Sequence, residues 1–106
     1  MTTDVQLGGI GLGGGDGDYL PIVKVAPVYP QRALSRGIEG WVVVKFMVTT
    51  AGTVRHVQVV EAEPPGMFDT AAKDAALKFK YKPRVVDGEA IEVAGVQNRI
   101  VFQIER

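Results

Sequence analysis

The chain reads as an α+β domain: a small antiparallel β-sheet of three to four strands, with two helices packed on one face, in the order extended, α, β, β, α, β. Three observations predict it. From Gly40 to Thr50, Val42, Val44, Phe46 and Val48 alternate with Trp41, Val43, Lys45, Met47 and Thr49, the period of a half-buried strand. From Met67 to Lys80, Phe68, Ala71, Ala72, Ala75, Ala76 and Phe79 recur at helical spacing and form one apolar face. Two turn signals, Ala51-Gly52 and Asp87-Gly88, join extended runs closely enough to make the pairing antiparallel.

Residues 1–18 carry seven glycines and few side chains that can build a core, so they are expected to form a flexible tether, with the folded domain spanning 19–106. Gly9-Ile-Gly11-Leu-Gly13-Gly14 formally matches a dinucleotide fingerprint, but that motif requires a preceding strand, a following helix and a ribose-binding acid, and this context supplies none. Asp16 and Asp18 hint at a calcium turn without enough further ligands. Tyr19 to Pro30 holds three prolines, each of which biases its predecessor toward extended backbone. Gln31 to Arg36 follows as a short helix, with Pro30 at its start and Gly37 as its stop.

After the first strand and the Ala51-Gly52 turn, Val54 to Glu61 supplies the second arm of a hairpin, ended by Pro64-Pro65-Gly66. In the second helix Asp69 and the terminal Lys78 and Lys80 complement the helix dipole, and Leu77 falls outside the apolar face. Lys82 to Val86 is extended, and Ala90 to Glu105 forms the last strand with a bulge or bend at Gly95. Val96, Asn98, Ile100, Phe102 and Ile104 share one of its faces, and Gln97, Arg99, Val101 and Gln103 the other.

Composition excludes several functions. Twelve basic and twelve acidic residues give a formal charge of zero, without the basic footprint of a nucleic-acid binder or a polybasic membrane anchor. No run approaches the ~20 apolar residues of a membrane span, and no signal peptide opens the chain. There is no cysteine, hence no disulfide framework and no thiol chemistry. The single histidine, His56, sits in mid-strand with no second imidazole at ligand spacing. Ser35, the single serine, lies in the short helix outside any nucleophile-elbow motif, and Glu61 and Glu63 flank a proline loop as solvated carboxylates. Lys78-Phe-Lys80-Tyr-Lys82 interleaves bases with aromatics, but Phe79 belongs to the buried helix face. No catalytic, metal or cofactor site is expected, so the chain is not read as an enzyme.

What remains is an edge. The stretch from Val96 to Ile104 is long, free of proline and carries one charge, Arg99. Such a strand either pairs with an added peptide, its main chain giving affinity, or lies interior, covered by the tether or a second subunit. The pattern alone leaves both readings open.

Taken together, Val28-Tyr29-Pro30 with Arg32-Ala33, Ile38-Glu39-Gly40 before a Val-rich strand ending Val48-Thr49, Gly52 and Val54, Val57 and Val59, Ala62 and Pro64, Met67-Phe68, Tyr81-Lys82-Pro83 and the final Ile100-Val-Phe102-Gln-Ile104 resemble the TonB family C-terminal domain over Ala26 to Arg106. The resemblance implies a periplasmic coupling domain of an energy transducer. Such a domain captures the TonB box of outer-membrane receptors by strand addition, for uptake of siderophores or other scarce nutrients. The implied partner-binding residues are Val96, Gln97, Asn98, Arg99, Ile100, Val101 and Phe102, flanked by Val28, Tyr29 and Pro30. It further implies an inner-membrane anchor, a Pro-rich spacer and ExbB/ExbD-like partners, all attached through an N-terminal part absent from this chain. Some family members recognise their partner with glutamine where Ala26 stands, and alanine cannot make that hydrogen bond. The alternative is a strand-exchanged homodimer serving as a TolA-like scaffolding module of the envelope.

Overall fold

In the computed structural model, residues 3–4, 7–10 and 21–105 are described. In chain order the elements are β1 (Thr3–Asp4), β2 (Leu7–Ile10), β3 (Pro21–Val23), α1 (Gln31–Ser35), β4 (Gly40–Val48), β5 (Val54–Glu63), α2 (Asp69–Ala76), β6 (Lys80–Tyr81), β7 (Arg84–Val86), β8 (Glu89–Ile91) and β9 (Val93–Ile104). The α+β class and the order of the main elements follow the expectation.

The main sheet is antiparallel, with β4 between β5 and β9, and with β1 and β2 both on the far side of β9. Alternation in β4 works as the sequence demands. Val42, Val44, Phe46 and Val48 are buried, while Trp41, Val43 and Met47 are half-buried and Lys45 is exposed. β9 repeats the pattern, with Val96, Asn98, Ile100, Phe102 and Ile104 turned into the core. Its register against β4 shifts between Phe46 and Val48, beside Gly95, whose φ of 72° is a backbone state that suits the predicted bulge.

β5 is less regular than alternation alone suggests. Its register on β4 shifts twice, and His56, at φ 57°, lies at one shift. Each extra residue inverts the side-chain phase, so Val54, Val57, Val59 and Ala62 turn inward and His56 and Val60 outward. Asp87 and Gly88, at φ 53° and 81°, form the two-residue loop between β7 and β8.

α2 is shorter than the periodicity predicts. It runs from Asp69 to Ala76, and Lys80 belongs to β6, which pairs with β3, so Lys80 cannot serve the helix dipole. The chain leaves the helix early because the Tyr81 N–H donates to the Gly52 carbonyl at 2.8 Å, tying this segment to the tip of the β4–β5 hairpin. The apolar face still points inward: Phe68, Ala72, Ala76 and Phe79 are wholly buried, and Leu77 is exposed. Small alanines let α2 lie close on β4 and β5.

Two short strands fall within the segment expected to be a tether. The remainder of that segment, with most of the glycine fingerprint and with Asp16 and Asp18, lies outside the described residues.

Candidate peptide-docking edge

Tyr29 joins the Tyr-Pro segment to the last strand. Its ring meets Phe68 at 5.6 Å and Phe102 at 5.7 Å, both edge-to-face, and Phe68 stacks on Phe102 at 4.3 Å. Its hydroxyl donates to the Ile38 carbonyl. These contacts form because extended backbone alternates: with Tyr29 turned in, Val28 must turn out, and it is 81% exposed. Pro30 then caps the start of α1, whose Ala33 is wholly buried.

The structure therefore divides the ten expected site residues. Tyr29, Val96, Asn98, Ile100 and Phe102 have buried side chains that a partner cannot reach. Val28, Pro30, Gln97, Arg99 and Val101 keep some surface, together with the main chain of β9. Arg99 lies over the Trp41 ring of the neighbouring strand at 4.4 Å, a cation–π contact on the sheet face away from α2. That contact leaves the guanidinium stem lying across the sheet. Ala26 is exposed and lines a small cleft with Val25, Pro27, Val28, Ala71 and Lys78, between the extended segment and α2.

One residue outside the expected site set matters here. Glu39 accepts the Ile104 N–H on its Oε2 at 2.7 Å, pinning the C-terminal end of β9 across 65 positions of chain. No pattern announces this, since a lone Glu before a strand looks like any solvated acid. A second cleft, lined by Glu39, Gly40, Trp41, Glu63, Val101 and Gln103, sits beside that end. Asn98 is 1% exposed with its Oδ1 unpartnered, a polar atom whose burial costs about 1–3 kcal/mol.

Residues with chemical potential elsewhere are dispersed. His56, Glu61 and Glu63 are exposed on β5, and exposed Ser35 donates to the Arg32 carbonyl at 3.1 Å. In the Lys-aromatic run the lysines are exposed but Phe79 and Tyr81 are buried, so neither ring can stack on a base. Among the described residues no three His, Asp or Glu side chains gather as metal ligands, and no helix is long and apolar enough to cross a membrane.

Residues 25–104 match the family described as the Gram-negative bacterial TonB protein C-terminal. The chain belongs to the TonB C-terminal family. The Protein TonB of Pseudomonas aeruginosa is 40% identical over 91 residues, covering 86% of this chain and 26% of that protein. The Protein TonB of Escherichia coli is 46% identical over 57 residues, covering 54% of this chain and 24% of that protein. The chain thus spans about a quarter of the length of these curated relatives. The solution NMR structure of the Pseudomonas aeruginosa TonB C-terminal domain superposes with a TM-score of 0.65 at 36% identity, covering 93% of this chain and 98% of that one. The TonB2 protein of Vibrio anguillarum gives 0.62 at 44% identity, covering 82% of each chain.

Proposed function

We propose that this TonB C-terminal domain works in the periplasm by capturing the TonB box of an outer-membrane receptor on the far edge of β9. The captured strand passes on energy drawn from the proton-motive force for uptake of siderophores or other scarce nutrients. In such a transducer, an inner-membrane helix and ExbB/ExbD-like partners belong to other parts of the protein. The observation that supports this reading is the division of β9. Its inward side chains are committed to the core, so recognition falls to its main chain, which lies beyond β4 and already accepts short added strands. Main-chain hydrogen bonds worth about 0.5–1.5 kcal/mol each give a grip that can be released after each cycle.

The test is a proline scan at Asn98, Arg99 and Ile100. Successive residues send their N–H groups to opposite sides, so a proline either removes a bond to β4 or a donor on the far edge. Each variant is melted and titrated calorimetrically with a receptor TonB-box peptide. At least one variant should stay folded and lose binding, while Gln97→Ala and Gln103→Ala shift affinity by less than about 1 kcal/mol. If every folded variant binds normally, docking at this edge is wrong. If peptide binding is absent throughout and light scattering finds a concentration-dependent dimer, the strand-exchanged scaffolding module takes its place.

A further inference from the structure

The edge offered to a partner is already occupied by the chain itself. β1 and β2 pair antiparallel with β9, setting Thr3 against Ile104, Asp4 against Gln103, Leu7 against Ile100 and Ile10 against Asn98. The partner segment proposed above would run along Val96 to Phe102, so the two footprints share Asn98 to Ile100. We infer that these N-terminal strands are a built-in competitor for the docking edge, which a receptor segment must displace. The inference rests on reading that edge as the docking surface.

One side of a strand carries one set of outward N–H and C=O groups, and these cannot serve two ladders at once. Any strand entering at residues 98–100, in either direction, therefore meets a site that is filled. The occupant is built to be displaceable. Leu7–Ile10 contains two adjacent glycines, which lose more conformational freedom on ordering than any other residue. Its register against β9 also shifts between Leu7 and Ile10, interrupting the ladder. Weak pairing still suffices for occupancy, because a segment on the same chain acts at an effective concentration in the mM range. The competitor lies outside residues 25–104, the part that matches the family model.

A closed edge resists stray extended peptides and edge-to-edge association of copies. Its cost is apparent affinity, which falls by the fraction of time the edge is open. An edge open about one-tenth of the time binds about tenfold more weakly.

The test compares the full chain with its Asp4→Pro/Gly9→Pro form, and with the single Gly8→Pro form should the double variant melt early. Amide hydrogen exchange is read first, and in the unmodified chain it needs no variant. Those β9 amides between Asn98 and Ile104 that face away from β4 should be protected. They should exchange about tenfold faster in the double variant, and a synthetic peptide with the sequence of residues 3–10 should restore their protection. A receptor TonB-box peptide should bind the variant about tenfold more tightly than the unmodified chain. Equal exchange rates, or equal peptide affinities, overturn the competitor while leaving the docking edge intact. Deprotection as expected, with a TonB-box peptide that perturbs no β9 amide, supports the self-pairing and sinks the docking reading. Light scattering that finds the unmodified chain dimeric, and the double variant monomeric, overturns self-pairing in favour of a second copy as the occupant.

Discussion

Tyr29 is where an anchoring role and a docking role can be told apart. In Tyr29→Phe the ring keeps both edge-to-face contacts, with Phe68 and Phe102, and loses the hydroxyl that donates to the Ile38 carbonyl. A part-buried carbonyl deprived of that donor costs about 1 kcal/mol. For a fold of this size that is about 4–8 °C in melting temperature. In Tyr29→Ala the ring itself goes, opening a cavity between Phe68 and Phe102 and costing about 3–5 kcal/mol. A domain of this length has total stability of about 5–15 kcal/mol, so the alanine variant sits near its unfolding threshold at room temperature. The assay pairs a thermal melt with calorimetric titration by a TonB-box peptide. Tyr29 is 8% exposed, so Tyr29→Phe should lower the melting temperature and leave peptide affinity within about twofold, below 0.5 kcal/mol. An unchanged melt with a tenfold loss of binding would refute the reasoning and make the hydroxyl a direct partner contact.

Two further substitutions probe the packing beneath the edge. Phe79→Ala should destabilise the fold by about 3–5 kcal/mol, because the ring is wholly buried and meets Phe46 edge-to-face at 6.5 Å; an unchanged unfolding midpoint in denaturant would mean the helix segment packs by another face. Gly40→Ala should cost about 1–3 kcal/mol or more, since an added Cβ would fall 2.1 Å from the Glu63 carbonyl oxygen and 2.8 Å from the Phe68 ring, and retention of wild-type stability would show that the β4–β5 approach is looser than described.

Much of this fold is written in side-chain periodicity. Every inward residue assigned to β4 and β9 is buried, because a one-residue slip would expose the whole set at once. The helix face survives the shortening of α2 for a related reason. Phe79 is placed by its spacing from Ala72 and Ala76, and the turn following the helix keeps it inward. Bulges are a different matter. The two in β5 add one unpaired residue each without a composition signal, and so the outward turn of Val60 was not legible. The edge was legible as a choice between added strand and covered strand. Which of them holds was not, because the occupant is glycine-rich, with low strand propensity, and its pairing is dictated by the main chain of β9. Val28 and Tyr29 are adjacent in the flanking segment, and alternation lets only one of two neighbours face the sheet. The aromatic at Phe102 decides which of them does.

The same division of β9 also bears on strand exchange between copies. Transferring β9 itself to another molecule would require Ile100 and Phe102 to leave a wholly buried setting, and the Glu39 hydrogen bond to Ile104 to break. Each large side chain taken from the core costs about 2–5 kcal/mol along the way, so that exchange must pass through a largely unfolded domain. Exchanging only the strand on the outer edge breaks main-chain hydrogen bonds worth about 0.5–1.5 kcal/mol each and leaves the core standing. Pairing and release of a strand on the outer edge can thus proceed at native stability, whereas a dimer built by swapping β9 should form only under conditions that melt the monomer. Incubating the chain at 25 °C and, separately, at its melting temperature before light scattering separates the two routes. A β9-swapped dimer that accumulates at 25 °C would show that the aromatic cluster around Phe102 does not hold the strand as its burial implies.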